Sequence, residues 1–313
     1  MKFKKILTIN ISEDALDKEH WNELDALAEQ RINLPKDSPK IIKELKDTDC
    51  LLVAFGIPVT KKMIDMASGL KYIATQATAF GKIDADYART KGIPVSNLAG
   101  YSSEAVAEFS IATILENIRH LEEGKQRGRS GNYSEAGLKA RELRNAVFGV
   151  IGLGSIGKRV AELASGFGAD VRYWSRQKKN TPFKYQDVDS LIAEADFLSL
   201  NLAQSQDTEN FLNEKRIKSM KPGVVVINTV PMELVDSNAL AERLAVGDIT
   251  FILDHSDETS KDVMTKLSKF KNCIIYPPMA YITNEAKLAR KEMFLSNIES
   301  FLKGSPENIV NII

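Results

Sequence analysis

Short runs of β-branched and aliphatic residues alternate along the chain with longer stretches whose apolar positions recur every three or four residues. Ile6-Leu7-Thr8-Ile9, Leu51-Leu52-Val53-Ala54, Tyr72-Ile73-Ala74 and Pro94-Val95 read as strands, with helical patterns over residues 21–31 and 60–66 between them. A second block repeats the alternation and predicts six strands, over 148–151, 171–174, 197–202, 224–228, 251–253 and 274–275, the number expected of a dinucleotide-binding sheet. Strands joined by crossover helices form parallel sheets, so the fold class is α/β with two doubly wound parallel-sheet domains.

Between the blocks, Ala105, Val106, Phe109, Ile111, Ala112, Ile114, Leu115 and Ile118 have helical spacing and predict a long helix over 103–121, buried on most sides. Residues 122–137 are rich in Gly, Arg and Ser and hold too few apolar groups for a core of their own. They could form a loop, a linker or an arm reaching a second subunit.

Composition narrows the function. Of 313 residues, 43% are hydrophobic and 27% charged, as in a globular protein, and no apolar run is long enough to span a membrane. Forty-two basic residues balance forty-two acidic ones, so no net field draws the chain to nucleic acid or to an anionic membrane. A small molecule or another protein is the expected partner. Cys50 and Cys273 are the only cysteines, which excludes a disulfide framework and a four-cysteine zinc site, predicts no metal, and suits a reducing compartment. The basic start Met1-Lys2-Phe3-Lys4-Lys5 resembles a signal peptide in charge, but Thr8 and Asn10 interrupt the apolar residues behind it. It reads as the first strand of a cytoplasmic protein.

The chemistry concentrates in Phe148-Gly149-Val150-Ile151-Gly152-Leu153-Gly154-Ser155-Ile156-Gly157, a buried strand running into G-x-G-x-x-G. Gly152 permits the tight turn, Gly154 lets the backbone approach a pyrophosphate, and Gly157 lets the following helix pack on the strand with its N-terminus toward the anion. Gly152, Gly154, Ser155, Ile156 and Gly157 are therefore cofactor-binding candidates. At the end of the next strand, where a carboxylate would bond the ribose 2′-hydroxyl of NAD, the chain reads Trp174-Ser175-Arg176-Gln177-Lys178-Lys179. Ser175 can donate to a 2′-phosphate, Arg176 can clamp it, and Lys178 adds charge, which favours NADP and leaves NAD open.

The order of segments resembles the D-isomer-specific 2-hydroxyacid dehydrogenase family, which includes phosphoglycerate dehydrogenase and the glyoxylate and hydroxypyruvate reductases. The likeness runs through Gly92-Ile93-Pro94-Val95-Ser96-Asn97, Ser103-Glu104-Ala105-Val106-Ala107-Glu108, the glycine loop, Met220-Lys221-Pro222-Gly223 and Ile227-Asn228-Thr229. It implies a Rossmann-type cofactor domain over 102–284, inserted in a flavodoxin-like substrate domain made of 1–101 and 285–313. It also implies a last helix over about 284–302 packed on the first domain, and a homodimer formed through the cofactor domain and the arm. Ser175-Arg176 followed by basic residues is similar to the NADP-dependent hydroxypyruvate reductases, and Asp254 resembles the aspartate that faces the nicotinamide.

Family chemistry uses an arginine that holds the substrate carboxylate and polarises its keto oxygen, a histidine that donates the proton, and a glutamate that raises the histidine's pKa. The resemblance places Pro231 at the arginine, Pro278 at the histidine and Asp257 at the glutamate. Proline has no titratable group and no backbone N–H, so the usual mechanism is expected to be absent. The substrate loop becomes Ala77-Thr78-Ala79-Phe80-Gly81-Lys82, where backbone amides around Thr78 could still receive a carboxylate, making Ala77, Thr78 and Ala79 the substrate-binding candidates. His255, two positions from Asp257 and so on the same face if the strand continues, is one replacement acid. Tyr101 in the hinge, Lys82 and Tyr281 are the others, while His20 and His120 read as structural.

Three functions follow. The first is an NADP(H)-dependent oxidoreductase acting on a 2-oxo acid or related carbonyl with rearranged catalytic groups. The second is an inactive NADP(H)-binding homologue serving as a sensor, scaffold or regulatory subunit, and the third is an interaction protein that has lost the cofactor. The complete glycine motif disfavours the third, and the cofactor signals favour the first.

Overall fold

The structure, a computed structural model, describes residues 2–254 and 256–311. One unit ends at Tyr101 and resumes at Thr283; the other runs from Ser102 to Ile282. The first is built on strands β1 (Phe3–Ile9), β2 (Ala28–Leu34), β3 (Cys50–Val53), β4 (Tyr72–Thr75) and β5 (Val95–Ser96), with helices α1 (Lys18–Ala26), α2 (Ile41–Leu45), α3 (Lys61–Met66) and α4 (Ala85–Thr90). All pairings are parallel in the order β2-β1-β3-β4-β5, the flavodoxin-like arrangement. Helices cover both faces, so β1 and β3 are buried along nearly their whole length instead of alternating. Thr60 and Asp84 start α3 and α4 by accepting from the N–H groups of Met63 and Tyr87.

The second unit opens with α5 (Ser103–Ile118) and α6 (Leu121–Arg129). It continues through β6 (Val147–Ile151), α7 (Ser155–Gly166), β7 (Asp170–Trp174), β8 (Lys184–Tyr185), α8 (Val188–Glu194), β9 (Phe197–Leu200), α9 (Glu214–Ser219), β10 (Val225–Asn228), α10 (Ser237–Val246), β11 (Thr250–Leu253), α11 (Lys261–Leu267) and β12 (Cys273–Ile275). Its sheet is also parallel, in the order β12-β11-β10-β9-β6-β7-β8, the doubly wound dinucleotide-binding topology with one added edge strand. Ala107, Ile111, Ile114 and Ile118 of α5 share a core with Val160, Ala161 and Ala164 of α7, which accounts for the helix's apolar richness. The chain then returns to the first unit as α12 (Asn284–Leu302), whose Phe294, Leu295 and Ile298 pack with Phe3, Ile6, Leu52 and Tyr72.

Five local expectations are corrected. Residues 21–31 are not one helix: α1 ends at Ala26 and β2 begins at Ala28. As an edge strand, β2 carries Glu29, Gln30, Arg31 and Asn33, and so lacks the apolar run that marks its neighbours. The 122–137 stretch is helical over α6, with Glu122 and Glu123 in its first turn, Arg127 and Arg129 in its last, and an Arg127–Glu123 pair at 2.5 Å. A left-handed His120 (φ 52°) separates α5 from α6, so this histidine sits at a junction and not within a helix. The sheet has a seventh strand, β8, only two residues long, and β9 stops at Leu200, two residues short of the expected end.

Candidate functional site

In the larger sheet β6 and β9 are neighbours, while β7 and β8 extend to one side and β10 to β12 to the other. The carboxyl ends at this reversal are where α/β proteins bind ligands. Gly152 follows β6 with φ 92°, and a Cβ there would fall 2.5 Å from the carbonyl oxygen of Asn201, just beyond β9. A Cβ on Gly157 would lie 1.9 Å from the carbonyl oxygen of Gly152. At Gly154 a Cβ would meet nothing within 4 Å. The first and third glycines are thus required by the loop's own packing, whereas the second presents bare backbone to open space, as close approach by a ligand requires. No side chain caps α7 at Gly154, leaving its first-turn N–H groups to an anion. These residues fit a dinucleotide pyrophosphate.

The turn after β7 is held from beneath. The Tyr173 side chain is fully buried, and its hydroxyl accepts from the Lys179 N–H at 2.8 Å and donates to the Lys179 carbonyl at 3.1 Å. Ser175 is buried and donates to the Gln177 carbonyl at 2.6 Å. Arg176 projects from the turn, donating to Ser205 Oγ at 3.2 Å and lying 3.4 Å from the Asp207 carboxylate, on the loop after β9. Lys178 is exposed. Sequence reasoning missed Tyr173 as the support of this turn; its signal was an aromatic with a hydroxyl in an otherwise buried strand.

The ends of β10, β11 and β12 form the other half. Asn228, which ends β10, is fully buried; its Nδ2 donates to the Val230 carbonyl at 2.8 Å, and its Oδ1 has no partner among the described residues. Asn201 Oδ1, at the end of β9, is likewise a buried acceptor without a donor. Pro231 precedes a short turn whose Met232 and Leu234 are buried in the core. Asp254 is 2% exposed and accepts from the N–H groups of Met279 and Ala280 at 2.9 and 3.1 Å, which fixes the segment containing Pro277 and Pro278. Neither amide acceptor was singled out from the sequence, although a polar amide ending an apolar strand is a readable signal.

The other candidates divide between the units. In the first, Ala77 and Leu98 pair through backbone, Thr78 Oγ1 donates to the Leu98 carbonyl at 3.2 Å, and nothing among the described residues accepts from the N–H groups of Ala77, Thr78 or Ala79. Lys82 is exposed in a turn, and Tyr101 packs against the core that contains Leu98 and Phe294. In the second, Tyr281 is 39% exposed. Near the expected pairing of His255 with Asp257, β11 ends at Leu253, Ser256 N–H bonds the Asp254 carbonyl at 2.9 Å, and Asp257 is exposed. His255 itself lies outside the described residues. Tyr276 donates to Glu116 at 2.7 Å, and burial together with that carboxylate pushes its hydroxyl above the usual range.

A family model described as D-isomer specific 2-hydroxyacid dehydrogenase, NAD binding domain, matches residues 111–280. The chain is 31% identical over 327 residues to a glyoxylate reductase of Thermococcus litoralis, covering 99% of this chain and 97% of that one. It is 31% identical over 285 residues to a hydroxypyruvate reductase of Thermotoga maritima, covering 88% and 92%. Among solved structures, an acyclic imino acid reductase in complex with NADPH and D-Arg superposes with a TM-score of 0.84 at 29% identity, over 98% of this chain and 99% of that one. A D-lactate dehydrogenase from Aquifex aeolicus, complexed with NAD and lactic acid, gives 0.82 at 28%, with the same coverage.

Proposed function

The chain belongs to the D-isomer specific 2-hydroxyacid dehydrogenase family, and we propose that it is an NADP(H)-preferring reductase in which Pro231 and Pro278 replace the arginine and the histidine of the usual mechanism. The observation that carries this reading is the turn after β7: it offers Ser175, Arg176 and Lys178, no carboxylate, and a buried Tyr173 that holds it in shape. A relative solved with NADPH supports it.

The backbone of Gly154, Ser155, Ile156 and Gly157 would take the pyrophosphate, Ser175, Arg176 and Lys178 the 2′-phosphate, and Asp254 would stand at the nicotinamide half. When bound, the reduced cofactor supplies a hydride. The N–H groups of Ala77, Thr78 and Ala79, which have no acceptor among the described residues, suit a substrate carboxylate. If the substrate demands a proton from the protein, His255, Tyr101, Tyr281 and Lys82 are the donors to replace first, with Asp257 as a supporting carboxylate. The exposed Leu121 and Tyr133 around α6 support a homodimer, and two free, buried cysteines support a reducing, cytoplasmic setting.

Following NADPH absorbance with glyoxylate, hydroxypyruvate, pyruvate and carbonyls lacking a carboxylate, with NADH in parallel, tests the proposal. Turnover that favours NADPH supports it. Cofactor binding without turnover on any reducible substrate would support an inactive NADP(H)-binding homologue instead.

A further inference from the structure

The smaller sheet has a switch point of its own. From β1 the chain crosses to β2 on one side and then returns to β3 on the other, so the carboxyl ends of β1 and β3 open onto a crevice of the kind in which α/β sheets take ligands. A cleft of about 350 Å³ lies there, lined by residues of the first unit alone. Ile9, the last residue of β1, Lys36, just beyond β2, and Ile57, in the segment after β3, all line it. Its described lining includes none of residues 77–79 and 82.

Its walls are apolar and reachable. Helices α2 and α3 are neighbours and line it with Ile41 and Ile42 from one and Met63 and Met66 from the other, the two methionines one turn apart on the same side of α3. All four keep surface in contact with solvent, and Ile42 is 58% exposed. Exposed hydrophobic groups gathered around a concavity mark a binding surface, which single ones do not. Unbranched methionines add walls that adapt to the shape of an apolar chain. The rim carries Lys36 and Lys62, both exposed and, among the described residues, without an ion-pair partner. Asp37 is the one carboxylate among the described lining residues, so the rim keeps a positive excess.

We propose that this cleft binds a small anionic amphiphile, a single apolar chain ending in a carboxylate, with the chain against α2 and α3 and the head at Lys36 and Lys62. Its volume stands at the lower end of the roughly 300–1,000 Å³ usual for small-molecule sites, which suits one chain rather than a nucleotide. Ile41, Ile42, Met63 and Met66 offer no hydrogen bond to a sugar or a base, whereas each methylene buried against them strengthens binding by about two- to fourfold. A neutral or cationic head would leave the two ammonium groups unanswered. The site goes beyond the reductase reading and does not depend on it.

The full chain, isotope-labelled at its methionine methyl groups, is titrated with decanoate and followed by NMR. Of the eight methionines, Met63 and Met66 should shift and saturate with a Kd at or below about 1 mM, while Met232 and Met264 of the other unit stay still. Binding should weaken by about two- to fourfold for each methylene removed on going to octanoate and hexanoate. Decyltrimethylammonium, the same chain with a cationic head, should bind at least about tenfold more weakly. The double variant Lys36→Glu with Lys62→Glu should reverse that order without lowering the midpoint of thermal unfolding, since both side chains are exposed. Ile42→Asp, at an exposed wall position, should abolish decanoate binding while the Met232 and Met264 signals stay unchanged and report an intact fold. Equal binding of the two heads, an unchanged preference in the double variant, shifts at all methionines with one midpoint, or no shift at Met63 and Met66 overturns the proposal. So does association with phosphatidylglycerol vesicles without binding of monomeric decanoate, which would make the patch a membrane contact.

Discussion

Gly157 and Gly152 approach so closely that a Cβ on the first would sit 1.9 Å from the carbonyl oxygen of the second. No side-chain adjustment relieves a contact with backbone, so this pair welds the start of α7 to the end of β6 whether or not a ligand is bound. Gly157→Ala should lower the free energy of unfolding by about 3 kcal/mol, measured by denaturant titration without cofactor. Gly154→Ala should leave stability within about 0.5 kcal/mol, since its Cβ meets open space at an ordinary φ of −81°, and should weaken dinucleotide binding at least about tenfold. Equal stability losses in the two variants would contradict the division of labour between these glycines.

Arg176 is exposed and, among the described residues, held by Ser205 and Asp207 at the surface, so its removal should not unsettle the fold. A guanidinium that bonds a phosphate contributes about 1.5–3 kcal/mol. Arg176→Ala should therefore weaken NADPH binding by roughly 10- to 100-fold and leave NADH binding unchanged. A parallel loss for both cofactors would place Arg176 on the adenine or elsewhere.

Tyr173 acts from beneath the same turn. Tyr173→Phe keeps the ring, which packs edge-on to Tyr185, but leaves the Lys179 N–H and carbonyl without their partner. The expected cost is about 1–3 kcal/mol in stability, together with a larger loss of affinity for NADPH than for NADH. Unchanged discrimination between the cofactors would show that the turn keeps its shape without the hydroxyl.

Pro231 and Pro278 give a reciprocal prediction. The double variant Pro231→Arg with Pro278→His should gain reduction of 2-oxo acids by about two orders of magnitude. Neither proline holds the fold through a donated hydrogen bond, so both proteins should express and bind cofactor alike. No gain would mean that the surroundings of the two positions no longer accept an oxo acid.

The strands with near-continuous apolar runs, β1, β3, β6, β9, β10 and β11, were legible because both faces of each sheet are covered. The edges were not: β2 is polar because water covers one side of it, and β8 spans two residues, too few for any period to register. α6 was obscured by Gly124 and Gly128, and its helicity comes from charge placement and i,i+4 pairs rather than from apolar spacing. Within the site, the glycine loop was readable to the residue because each glycine answers a steric demand. The supporting Tyr173 and the acceptors of Asn201 and Asn228 were not, since their roles arise where separate strand ends come together.

Comparative titration of the unaltered protein with NADPH and NADH by calorimetry bears most directly on the central claim. The carboxylate-free turn after β7 predicts that NADPH binds at least about tenfold more tightly, an advantage that shrinks as salt is raised and the phosphate contacts are screened. Tighter or equal binding of NADH, or binding of neither cofactor, would contradict it.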